Sequence, residues 1–185
     1  MRPVELATVL RALIGKHREL KTEAEAIAAE MLSSPSVEDI AGEVFEAVTA
    51  LGVEALHGRS GKQPWGYVEP TEAAWELLEE AIESTLSDMK RCVKIGQRPA
   101  AEAICCGIVL GLYEAAEEES PPGLLGWAPD FPAEMACHTV CELLKALPAE
   151  ERTSTRNRLF EALGGSVGGW GHMIERASNR LLTGR

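Results

Sequence analysis

The sequence predicts an all-α protein of about seven helices in antiparallel hairpins, either a short α-solenoid or a repeat-derived helical bundle. Three observations point there. Aromatics are only 5% of the 185 residues, whereas Ala, Leu and Glu, which lose little on ordering into helix, abound. Apolar residues recur in alternating steps of three and four. Pro, Gly and Ser clusters fall between those runs, and no strand is predicted anywhere.

Pro3 suits the opening of the first helix. Leu6, Leu10, Leu13, His17, Leu20, Ala24, Ile27 and Met31 then form a heptad seam, with Gly15 as an internal weak point. "SSPS" at 33–36 breaks the chain. Ser36 caps the next helix, whose stripe is Val37, Ile40, Val44, Val48 and Leu51 and whose end is expected near Gly58. Residues 58–70 read as a long polar-aromatic loop. Thr71 caps a helix with Trp75, Leu78, Ile82, Leu86, Met89 and Val93 inward, and Gly96 stops it. Pro99 opens its antiparallel partner, 99–118. Between Pro99 and Ala116 that arm is charged only at Glu102 and Glu114, so it belongs at the centre of the fold. A second long loop spans 120–131. Helices follow from Pro132 to Leu147, from Pro148 to about Leu163, and over 171–183 beyond a Gly-rich break.

One domain over 1–185 is expected, with a helical hairpin at 3–57 and two related units at 65–126 and 127–185. The units rest on an internal match, W-x4-P-x-E-x-A. Trp65, Pro70, Glu72 and Ala74 align with Trp127, Pro132, Glu134 and Ala136 at an offset of 62 residues. Pro and Glu are ordinary helix-start residues, but the Trp at the same distance upstream is not.

Net charge is −11, unevenly spread. Residues 1–21 carry +3, 22–142 carry −17 and 143–185 carry +3. An acidic body repels phosphate backbones, so nucleic-acid binding is not expected and a basic partner fits better. The N-terminus shows no secretory pattern, and the longest uncharged apolar run, 103–113, is too short to span a bilayer. With five cysteines, an odd number, the expectation is a reduced cytoplasmic protein with free thiols and no membrane association.

The densest chemistry is "EMACHTVCELL" at 134–144. Cys137 and Cys141 lie one helical turn apart, His138 is adjacent, and Cys105 and Cys106 are placed to face them from a neighbouring helix. Zinc takes four N or S ligands in a tetrahedron. Against a metal site, no C-x2-C knuckle occurs, and residues 137 and 138 point about 100° apart on a helix. Cys137, Val140, Cys141 and Leu144 also form a plain apolar stripe. "GGSVG" at 164–168 matches a nucleophile elbow around Ser166 but lacks the strand such an elbow needs. "GRSGK" at 58–62 lacks the spacing of a phosphate-binding loop, and no inward Glu-x-x-His pair marks a di-iron bundle.

What remains is aromatic. Trp65 and Tyr67 sit in one loop, and Trp127 and Phe131 in the other. They plug the bundle ends or grip a partner. The functional expectation is a non-enzymatic protein-interaction or scaffold module binding through loops 58–70 and 120–131. It takes no cofactor and pairs as a homodimer through the 3–32 seam. The alternative is a small metal- or thiol-redox-binding protein using Cys105, Cys106, Cys137, His138 and Cys141.

At "WGYVEPTEAAWELLEEAIE", "AEAICCGIVLGLYEA" and "LLGWAPDFPAE" the chain resembles helical, tetratricopeptide-like segments of uncharacterised bacterial proteins, some of which also carry a SWIM-type zinc finger. The finger's C-x-C…C-x-H pattern is absent here. The resemblance implies a helical-repeat interaction module and nothing about zinc.

Overall fold

The computed structural model describes residues 3–32, 35–64, 66–118 and 123–183. Contacts divide the chain into two units, Met1–Ser34 and Pro35–Arg185. The expected hairpin at 3–57 straddles that division.

The first unit holds α1, Pro3–Lys16, and α2, Arg18–Leu32. One helix was expected here. His17 separates the two, yet the backbone ladder crosses it: His17 N–H donates to the Leu13 carbonyl and Lys21 N–H to the His17 carbonyl, each at 3.1 Å. This division brings the α-helices among the described residues to eight.

In the second unit Ser36 does cap α3, Val37–Thr49, its hydroxyl accepting from Asp39 N–H at 3.1 Å. Ile40, Ala41, Val44 and Val48 are buried. The helix stops at Thr49, well before Gly58, and a 3-10 turn at Val53–Leu56 follows. The expectation of no strand needs correction. β1, Gly61–Gln63, pairs antiparallel with β2, Gly66–Val68, placing Lys62 opposite Tyr67. Three-residue strands are too short to display a period of two, so sequence pattern could not reveal them.

The second unit's helices are α4 (Pro70–Lys94), α5 (Arg98–Ala116), α6 (Phe131–Ala146), α7 (Ala149–Leu163) and α8 (Trp170–Thr183). The cap expected at Thr71 falls instead on Glu69, and Pro70 occupies the first helical position of α4. At its far end Gly96 N–H donates to the Val93 carbonyl and Gln97 N–H to that of Cys92, closing a Schellman motif. Gly96 has φ +82°, which a side chain would resist. The short link then sends α5 back along α4.

α5 is the central helix. It packs against α3, α4, α6 and α7, and Ile104, Cys105, Ile108, Val109 and Leu112 are buried within it. Each such Leu or Ile contributes about 1.5–3 kcal/mol by leaving water. The outcome is a bundle around one helix. α5 is the one helix among the described residues long and apolar enough to cross a membrane, and 61% of its apolar window is buried inside the fold.

Charged pairs hold the outer helices to this core. Arg158 on α7 reaches Glu102 on α5 through two bonds, at 2.9 and 2.5 Å. Arg98 on α5 meets Glu151 at 3.0 Å. The Gly-rich break forms a 3-10 turn, Gly164–Val167, and Trp170 beyond it packs edge-on against Tyr113 of α5 at 5.2 Å. In the internal match, Pro70 and Pro132 both stand in a first turn, Glu72 and Glu134 follow them, and Ala74 and Ala136 are both buried.

Candidate functional site

Of the four aromatics singled out for partner binding, three are described, and two of those reach the surface. Tyr67 on β2 is 66% exposed, and Trp127, after the 3-10 turn Gly123–Gly126, is 45% exposed. Trp65 lies outside the described residues. Phe131 is a correction: it is fully buried, its ring edge-on to Trp75 at 5.0 Å. As the first residue of α6 it faces α4, so it anchors the helix start and offers nothing to a partner.

The cysteines also separate. Cys105 and Cys106 on α5 are buried, whereas Cys137 and Cys141 on α6 are half-buried. Burial pushes the Cys137 thiol up to about 11, with Cys141 and Glu134 adding to it. Burial likewise takes Cys106 to about 11, with Glu102 contributing. Cys105 is raised well above the usual thiol range by burial, then by Cys106, Glu102 and Cys141. Cys141 is raised by burial and only partly relieved by Lys145. A reactive thiol needs the opposite shift. Among the described residues no three His, Cys, Asp or Glu side chains are grouped to hold a metal ion.

The same stretch nonetheless lines a groove. Trp75 and Glu79 of α4, Met173 of α8, and Glu134, Met135, Cys137, His138 and Cys141 of α6 enclose about 480 Å³. Residues 137 and 138, expected to face apart, both border it. The four- and three-residue steps from Glu134 bring 134, 137, 138 and 141 onto one broad face. Trp75, Met135 and Met173 supply apolar and polarisable surface, and Glu79, Glu134 and His138 are exposed.

A second hollow of about 350 Å³ adjoins the first, sharing Glu79 and His138. Glu76, Glu80, Glu83 and Lys90 line it along α4. Arg59 pairs with Glu80, and Lys90 is drawn to Glu142 at 2.8 Å. Among the described residues Glu76, Glu79, Glu83 and Glu134 form no ion pair. The two hollows together make a groove, apolar where Trp75, Met135 and Met173 line the first and largely acidic along α4 in the second. Glu76, Glu79, Glu80 and Glu83 stand at i, i+3, i+4 and i+7 along α4. Their spacing marks one face of α4, but only the packing of α6 alongside makes that face a wall.

Ser166 is exposed in the 3-10 turn between α7 and α8, with helix on both sides and no strand before it. It has none of the setting of a nucleophile elbow. No family model, characterised protein or solved structure matches the chain, so the comparisons neither support nor oppose its likeness to helical-repeat segments.

Proposed function

We propose that the chain is a non-enzymatic protein-interaction module that takes a basic, amphipathic segment of a partner in the α4–α6 groove. Exposed Tyr67 and Trp127 serve as further contacts. The observation that carries this reading is the groove itself, with apolar surface at Trp75, Met135 and Met173 and four carboxylates, Glu76, Glu79, Glu83 and Glu134, that form no ion pair among the described residues. Lys and Arg suit it because their aliphatic stems lie on apolar surface while their charged ends reach the carboxylates. Trp75 adds aromatic surface to the same hollow. The −17 carried by residues 22–142 would draw such a partner in from a distance, and more weakly as salt rises. The raised thiols speak against the thiol-redox alternative.

The test is a titration of a fluorescent amphipathic Leu/Lys peptide with the full chain. Glu79→Lys combined with Glu134→Lys is expected to weaken binding about tenfold or more. Glu43→Lys with Glu46→Lys makes the same change in net charge on α3 and is expected to weaken it far less. Equal losses from both pairs would reduce the groove to a general acidic surface and sink the proposal. Trp127→Ala is expected to weaken binding without lowering Tm.

A further inference from the structure

Among the described residues of the first unit, the apolar seam lies exposed. Leu6, Leu10, Leu13, Leu20 and Ile27 are 45%, 47%, 42%, 41% and 51% exposed. They repeat in steps of four and three along a helical run whose backbone ladder continues through His17. That spacing fits another helix laid alongside in coiled-coil fashion.

The charges say which helix and which way round. By sequence, residues 3–21 carry four cations against two acids, and 22–32 carry three acids and no cation. The two halves of the run thus differ in sign, which suits an antiparallel copy, whose acidic half lies against the basic half. We infer that the 3–32 segment pairs antiparallel with the same segment of a second copy of this chain.

The seam then aligns layer by layer. Leu10 falls opposite Ile27, Leu13 opposite Ala24 and His17 opposite Leu20, each twice by symmetry. Lys16 flanks the seam on the side where Glu23 of the other copy flanks it, giving two opposite-charge pairs. Lys21 falls beside Ile14, so no like charges meet. A parallel in-register pair does worse. It sets Lys16 against Lys21 of the other copy, twice, and stacks His17 on His17 in the seam.

The deciding measurement is analytical ultracentrifugation of the full chain and its variants. The wild type is expected to be a dimer, and Leu13→Glu with Leu20→Glu a monomer that keeps the thermal transition of residues 35–185. Lys16→Glu is expected to weaken the dimer about tenfold, because it sets a carboxylate against Glu23. Glu23→Lys added to it should restore the dimer. In a parallel pair Lys16→Glu would instead tighten the dimer, replacing the repulsion from Lys21 with attraction. A tighter dimer, or a wild type monomeric at every concentration because the seam docks elsewhere on its own chain, overturns the inference. Neither result touches the α4–α6 groove.

Discussion

Gly111 decides how closely α5 approaches α3. A Cβ there would stand 2.4 Å from the Ala41 carbonyl oxygen, and one at Gly107 would stand 2.6 Å from the Ile40 side chain. Elsewhere in a helix Gly→Ala gains about 1 kcal/mol. Here the backbone of α3 cannot move aside, and overpacking costs about 1–3 kcal/mol. Gly111→Ala should therefore destabilise the fold, lowering Tm by about 2–4 °C per kcal/mol in a calorimetric scan. An unchanged or raised Tm would show that the two helices separate freely. The thiols give a second expectation at this scale. At pH 8 a thiol with its pKa near 11 is about one part in a thousand ionised, against about a tenth for an ordinary one. Native Cys106 and Cys137 should react with a disulfide reagent about a hundredfold more slowly than after unfolding. Folded thiols that resist ionisation also favour the fold below the unfolded value of 9.0, and that contribution fades as pH rises towards about 11. Two cysteines reacting at free-thiol rates in the native protein would return the thiol-redox reading to consideration. Neither shift is readable from sequence: Cys105 and Cys141 each sit in an apolar stripe, yet one is fully buried and the other opens on a groove.

Among elements, the joint between α4 and α6 matters most, because it forms the groove. Glu142 of α6 lies 2.8 Å from Lys90 of α4 and 3.0 Å from Lys145. The hydrogen bond from Lys90, then that from Lys145, holds its carboxyl down at about 2 against an ordinary value of 4.5. A depressed carboxyl contributes stability above its unfolded value and loses it as pH falls. Glu142→Gln should thus cost about 1 kcal/mol at neutral pH and little near pH 2, flattening the acid-unfolding profile between those values. Identical profiles for the two proteins would mean that the pair does not brace the joint. The helices were legible here because each level agreed. Ser36 capped α3, Gly96 closed α4, and the nearly uncharged run from Pro99 marked α5 as central. The β1–β2 hairpin was hidden by strands too short to show a pattern. Phe131 and Trp127 looked alike as loop aromatics, and only packing against Trp75 separates the buried ring from the exposed one.

At the scale of the molecule, two units present two surfaces of different character. The first carries an apolar seam along α1 and α2, which differ in charge. The second encloses an acid-lined groove built by α4, α6 and α8. Both units draw on charge asymmetry that composition already showed, but the groove needed tertiary structure, since Trp75, Glu134 and Met173 are far apart in sequence. The stretch "EMACHTVCELL" is accordingly neither pure core nor a metal site among the described residues: one of its faces is buried and the other lines the groove. The most direct test of the interaction reading is a map of backbone amide shifts on adding the Leu/Lys peptide to isotope-labelled full-length chain. The largest shifts should fall on Trp75, Glu79, Glu134, His138 and Cys141 and saturate together with one affinity. Shifts spread evenly over the acidic surface of residues 35–185, or none at the groove, would contradict it.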